Sequence, residues 1–200
     1  MNKVCISLGW NCHSAVHSVN TGLRSRKSDG YNTCPFDEMV TNQNGIVQCL
    51  LDDFKYFCDE TCLQLNNIQG DNSIYNTNYN FIYNHESPGH ANLYITQNWE
   101  EGIDHYINNN YYHFKTRYEK RIQNFRNYLL DPNNYIIFVI TSWNKTQDDM
   151  VDLKTAIEAH YPNLKYEIQI INDPNGKEYY VKHMKYMGYT ETDNELKRLL

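Results

Sequence analysis

The sequence contains no apolar run approaching the ~20 residues that a membrane-spanning helix needs, so none is expected. Its first residues, MNKVCISLGWNCHS, carry one lysine and no long apolar stretch, unlike a secretory signal. Positive charge is in short supply: 18 Lys and Arg against 24 Asp and Glu leave a net charge of −6. That balance argues against nucleic acid or an anionic membrane as the main partner. The six cysteines, Cys5, Cys12, Cys34, Cys49, Cys58 and Cys62, form no CxxC pair and no repeated spacing. They read as free thiols in a reducing compartment, the cytoplasm, or the host-cell cytoplasm if the chain is viral. The phosphate-binding patterns GxxxxGK[ST] and GxGxxG, the serine-hydrolase GxSxG and the zinc motif HExxH are all missing. No cofactor is therefore expected.

What is present suits one globular domain over residues 1–200: 40% hydrophobic and 21% charged residues is the composition of a chain that buries a core. Tyrosine is frequent, at 18, and asparagines cluster at 66–67, 108–110 and 133–134, where they suit turns and left-handed backbone. Val4 to Leu8 reads as a strand broken by Gly9. Asn11 is then a plausible N-cap for a helix with Cys12, Ala15, Val16 and Val19 on one inward face, ended by Gly22. A second helix is expected from about 44 to 57. Tyr79, Phe81 and Tyr83 alternate as a half-buried strand ending at His85. Phe114, Tyr118, Ile122, Phe125 and Leu129 recur at helical spacing over 113–130. YIIFVI (135–140) has the continuous apolar character of a central parallel strand.

Thr146 and Asp149 have capping-box spacing before a helix with Met150, Leu153 and Ile157 inward. Tyr166, Ile168 and Ile170 form a further strand, and EYYVKHM (178–184) reads as a last one. The order predicts an α/β fold: three layers, a mostly parallel Rossmann-like sheet flanked by helices, and an antiparallel insertion around residues 73–95.

Cys12 is the leading candidate for chemistry. A helix N-terminus stabilises a thiolate through its free N–H groups and dipole. The N–H groups around Asn11 and His13 could also hold an oxyanion. The competing reading makes Cys12 a core residue beside Ala15 and Val16. A cysteine nucleophile needs a base, and the strand-end His85 is the candidate. His13, adjacent on the helix, points elsewhere. Asn144, just past the buried strand, and Asp37, in the apolar setting of Pro35, Phe36 and Met39, are candidates to orient the imidazole. Asp37 could equally be a helix N-cap.

His13 and His17 are four apart, but no second ligand pair accompanies them, so no metal is expected. Cys58 and Cys62 share that spacing without clear partners. The basic stretch KTRYEKRIQNFR (115–126) reads as a solvated helix face, with anion binding by Arg117 and Arg121 as the alternative.

The elements SLGWNC (7–12), GLR (22–24), PFDEM (35–39), the histidine after an aromatic strand and RYEKRIQNF (117–125) resemble a family of papain-like cysteine peptidases with bacterial and viral members. The resemblance covers most of residues 4–143. It implies Cys12 as nucleophile, His85 as base and Asp37 as an acidic residue of the site. Where the family has tryptophan after PFD, this chain has Glu38. The resulting expectation is a Cys–His acyl-transfer enzyme acting on a peptide or another acyl substrate. The alternative is a non-catalytic binding or structural module of Rossmann-like fold. A third reading is a Rossmann-like fold that binds a nucleotide or sugar at the strand-end edge.

Overall fold

The apolar run after Met1 forms strand β1 (Asn2–Gly9), whose last five residues are buried. In the computed structural model of the chain, which describes residues 1–68, 71–90 and 99–186, β1 lies beside β5 (Asn134–Ser142), and β5 lies beside β6 (Tyr166–Asn172). Both pairings are parallel, with Ile6 opposite Phe138 and Phe138 opposite Ile168. β5 is the central strand and is buried almost throughout, as its unbroken apolar character predicts. Strands this close in parallel need crossover helices. Helix α1 (His13–Asn20) follows β1, and α4 (Val151–His160) joins β5 to β6. The Thr146–Asp149 capping box opens a 3₁₀ turn, Gln147–Met150, that leads into α4, and Met150, Leu153 and Ile157 are buried as expected.

Between β1 and β5 lie α2 (Gln43–Leu51), a second sheet and the long helix α3 (Asn108–Leu130). The second sheet is antiparallel: β2 (Leu63–Ile68), β3 (Asp71–Asn76) and the two-residue β4 (Phe81–Ile82). The insertion thus begins ten residues earlier than expected, because polar residues such as Asn66, Asn67 and Asn72 hide the strand pattern. The expected segment from 91 to 95 lies outside the described residues. Tyr79, Phe81, Ile82 and Tyr83 are all buried, so the aromatic run packs on both sides instead of alternating. His85 sits just beyond it, in the 3₁₀ turn Asn84–Glu86.

Four further expectations are corrected. In α1 the inward residues are Ser14, Ala15 and Ser18, while Val16 is exposed. Cys12, not Asn11, is the N-cap. α2 stops at Leu51, where left-handed backbone at Asp53 and Phe54 turns the chain. EYYVKHM is part of helix α5 (Gly176–Tyr186), because Tyr180 and Met184, four apart, bury against Trp10 and Val40. Among the described residues no helix is long and apolar enough to cross a membrane.

The main core gathers on the face of the parallel sheet that meets α3. Phe36 lies at its centre, with the rings of Phe54, Phe57, Phe81 and Phe125 all within 6.2 Å of its own. Phe36 belongs to a 3₁₀ turn, Pro35–Glu38, which is fixed by its neighbour Asp37. The Asp37 carboxylate is fully buried. It receives Arg24 Nη1 at 2.6 Å, the Tyr31 hydroxyl at 3.0 Å and the Cys34 N–H at 2.8 Å. Arg24 also donates to the Ala15 carbonyl at 3.2 Å and stacks 4.2 Å from the Tyr31 ring centre. One ion pair therefore ties α1 to the Pro35 turn.

Gly9 is the other fixed point. Its φ of +102° suits glycine, and a Cβ there would meet the Thr41 hydroxyl at 1.9 Å.

Two predictions follow the packing. Asp37→Ala strands the buried Arg24 charge and is expected to cost about 3–5 kcal/mol, measured by urea unfolding. Gly9→Ala adds a clash to a backbone strain of about 1–3 kcal/mol, so its melting temperature should drop well below that of the Gly22→Ala control, whose added Cβ meets open space.

Candidate active site

The turn between β1 and α1 is built from its own polar groups. The buried hydroxyls of Ser7 and Ser14 hydrogen-bond each other, and Ser14 Oγ also donates to the Asn11 carbonyl at 3.2 Å. Thr41 closes the turn from outside: its N–H donates to the Trp10 carbonyl at 2.6 Å and its hydroxyl to the Leu8 carbonyl at 3.2 Å. Cys12 follows as the N-cap residue of α1, its carbonyl accepting the first helical bond from Val16 N–H at 3.0 Å. Asn11 Oδ1 accepts the His13 N–H at 2.9 Å. One of the two N–H groups proposed for an oxyanion is thus occupied in this state.

Cys12 is half-buried. Burial pushes its thiol above the ordinary value, and the Glu38 carboxylate pushes it further. The opposing influence, its own backbone N–H on the sulfur, does not offset them. The helix N-terminus alone therefore does not make a thiolate here.

Glu38 is the residue that links the candidates. It ends the Pro35 turn, next to the inward Asp37. Its carboxylate pairs with Arg121 and, at 3.4 Å, with Arg117. Burial opposes its charged form, yet these two guanidiniums outweigh burial and hold the carboxyl below the usual range. Glu38 also interacts electrostatically with both Cys12 and His85. His85 is lowered below the ordinary imidazole value, first by burial and then by Arg121 and Arg117, against the pull of Glu86 and Glu38.

Glu86, the next residue, is completely buried. It receives hydrogen bonds from Arg117 Nε at 2.9 Å and the Tyr118 hydroxyl at 2.8 Å, and forms an ion pair with Arg121 Nη1 at 3.2 Å. The basic face of α3 is therefore not simply solvated: Arg121 is buried, and the anions that it and Arg117 hold are the protein's own Glu38 and Glu86.

Of the residues singled out from the sequence, Cys12 and His85 both feel the charge of Glu38. Asp37 has its oxygens engaged by Arg24, Tyr31 and Cys34. Asn144 lies elsewhere, at the C-terminal ends of β1 and β5. It helps line a cleft with Trp10, Thr41, Ser142, Trp143 and Tyr180 whose lining includes neither Cys12 nor His85. His13 is exposed and His17 half-buried.

From the sequence, Arg121 was named only as an alternative anion binder, and Glu38 and Glu86 were given no role in the site. A signal was present: Arg121 falls one residue before Ile122 on the apolar stripe of α3, and a buried arginine needs an acid.

The family model described as "Putative papain-like cysteine peptidase (DUF1796)" matches residues 3–176, from the start of β1 to the start of α5. No curated protein and no solved structure matches the chain significantly. The matched span contains the SLGWNC turn, the Arg24–Asp37 pair, His85 and the whole parallel sheet, and the chain belongs to this papain-like cysteine peptidase family.

Proposed function

We propose that the chain is a cysteine-dependent acyl-transfer hydrolase with Cys12 as nucleophile and His85 as general base. The observation that carries this reading is that the Glu38 carboxylate acts electrostatically on both Cys12, at the N-terminus of α1, and His85, beyond β4. A thiol raised above its ordinary value and an imidazole lowered below its own favour the neutral form of both groups at rest. The reaction then begins with proton transfer as the substrate arrives: His85 takes the thiol proton while the sulfur attacks the acyl carbon. Glu38 stabilises the imidazolium that forms, the role usually given to an orienting carboxylate. His85 next protonates the leaving group, and water hydrolyses the thioester.

The oxyanion would be met by N–H groups at the start of α1, including that of His13 once Asn11 Oδ1 releases it. In this scheme Asp37 is a positioning residue. It holds the turn that presents Glu38.

A second reading draws on the cleft at the strand ends. A binding module would use Trp10, Trp143 and Asn144 there, at the sheet edge where α/β folds bind ligands. Activity lost in Cys12→Ser and His85→Ala but kept in Asn144→Ala supports the enzyme. A purified protein with no hydrolase activity on acyl or peptide libraries, and whose Cys12→Ser variant behaves identically, would falsify it.

Three outcomes are expected. Site-resolved alkylation of Cys12 should be slow near pH 7 and rise only above about pH 9, the ordinary thiol value, because burial and Glu38 both disfavour the thiolate. Removing the negative charge in Glu38→Gln should move that alkylation profile to lower pH, since a carboxylate beside a thiol raises its pKa. The same variant should lower kcat by about 10-fold or more by leaving the imidazolium unsupported.

A further inference from the structure

Far from Cys12 in sequence, a second group of side chains converges at the entry to α3. Glu101 lies just before the 3₁₀ turn Gly102–Asp104, His105 just after it, and His113 at the start of the regular part of α3. One donor atom from each lies within 4.8 Å of the others. His113 Nε2 is 3.6 Å from Glu101 Oε1. The two imidazoles stack in near-parallel planes with centroids 4.1 Å apart.

His105 is only 7% exposed and packs against the Trp99 and Tyr106 rings. Its Nδ1 is buried and has no hydrogen-bond partner among the described residues. A buried ring nitrogen left without a partner is costly unless something else meets it.

We propose that Glu101, His105 and His113 form a binding site for a divalent cation of the zinc class. Two imidazoles and one carboxylate are the donor set that zinc takes in three-ligand sites, and they do not suit magnesium or calcium, which prefer oxygen alone. Bonds of ~2.0–2.1 Å put tetrahedral donors ~3.4 Å apart, so the Glu101–His113 edge is already near its final length. Small rotamer changes at the half-exposed His113 and exposed Glu101 close the rest. The fourth position goes to water. Asn109 Nδ2, donating to Glu101 Oε1 at 3.4 Å, supports the carboxylate from behind. The nearby Arg117 does not oppose a cation strongly, since Glu38 and Glu86 pair with it.

Such an ion would clamp the 99–107 segment to the helix that, one and two turns further on, presents Arg117 and Arg121 to Glu38 and Glu86. It would be an anchor for α3, separate from the candidate catalytic residues.

The test is a titration of the metal-stripped full-length protein with Zn²⁺ in competition with a chromophoric chelator, repeated with Co²⁺ for its absorption spectrum. One equivalent should bind, with a Co²⁺ spectrum lacking thiolate charge-transfer absorption. Zn²⁺ should raise the melting temperature. His113→Ala and Glu101→Gln, both outside the core, should keep the fold by circular dichroism but weaken binding at least about 10-fold and abolish the thermal shift. Cys12→Ser should bind as the parent does. Absence of binding, binding unchanged in both variants, or a thiolate band in the Co²⁺ spectrum would each overturn the assignment.

Discussion

The buried pair between Arg24 and Asp37 is the interaction on which the candidate site depends. A single carboxylate in a dry interior is costly, and here it is satisfied three ways, by a guanidinium, a phenol and a backbone N–H. Its partners come from the segment after α1, from the loop beyond it and from the turn that carries Phe36. Because a buried charge tolerates little displacement, the pair sets where α1 begins relative to the Pro35 turn. Cys12 lies at one end of that relation and Glu38 at the other.

A second buried network has the same logic on the far side of Glu38. Arg121 and Arg117 reach from α3 to Glu38 and Glu86, with Tyr118 completing the set. Two carboxylates and two guanidiniums compensate each other where one alone would not be tolerated. The arrangement also decides the electrostatics of the neighbouring groups. The arginines hold Glu38 low. At His85 burial is the main lowering influence, and the arginines add to it against Glu86 and Glu38. At Cys12 burial and then Glu38 raise the thiol. A neutral side chain at position 38 would remove that last influence and leave burial alone to raise the thiol.

The parallel sheet is the frame. β1 delivers the chain to Gly9, whose left-handed conformation and contact with Thr41 turn it towards α1. Ser7 and Ser14 join strand and helix through their hydroxyls, so the turn is held by polar groups inside the fold instead of by apolar packing. This explains why the inward face of α1 is small and polar, with Val16 left outside.

Elements with strong periodicity were legible in the sequence. β5, the inward stripe of α3, the capping box before α4 and the strand–turn–helix at Cys12 all rest on local signals: an apolar run, helical spacing, a capping pair and a glycine. The asparagine-rich hairpin β2–β3 and the helical state of EYYVKHM were not, because pairing with a neighbouring strand and burial of Tyr180 and Met184 override local preference. For the site, the sequence supplied Cys12 and His85 as chemically suitable side chains, but not the carboxylate whose charge acts on both. That Asp37 turns inward to Arg24 while Glu38, its neighbour, pairs with two arginines of α3 was decided only in three dimensions. The reason is physical: carboxylates adjacent in the chain are distinguished by which distant cations fold against each, and no local pattern encodes that choice.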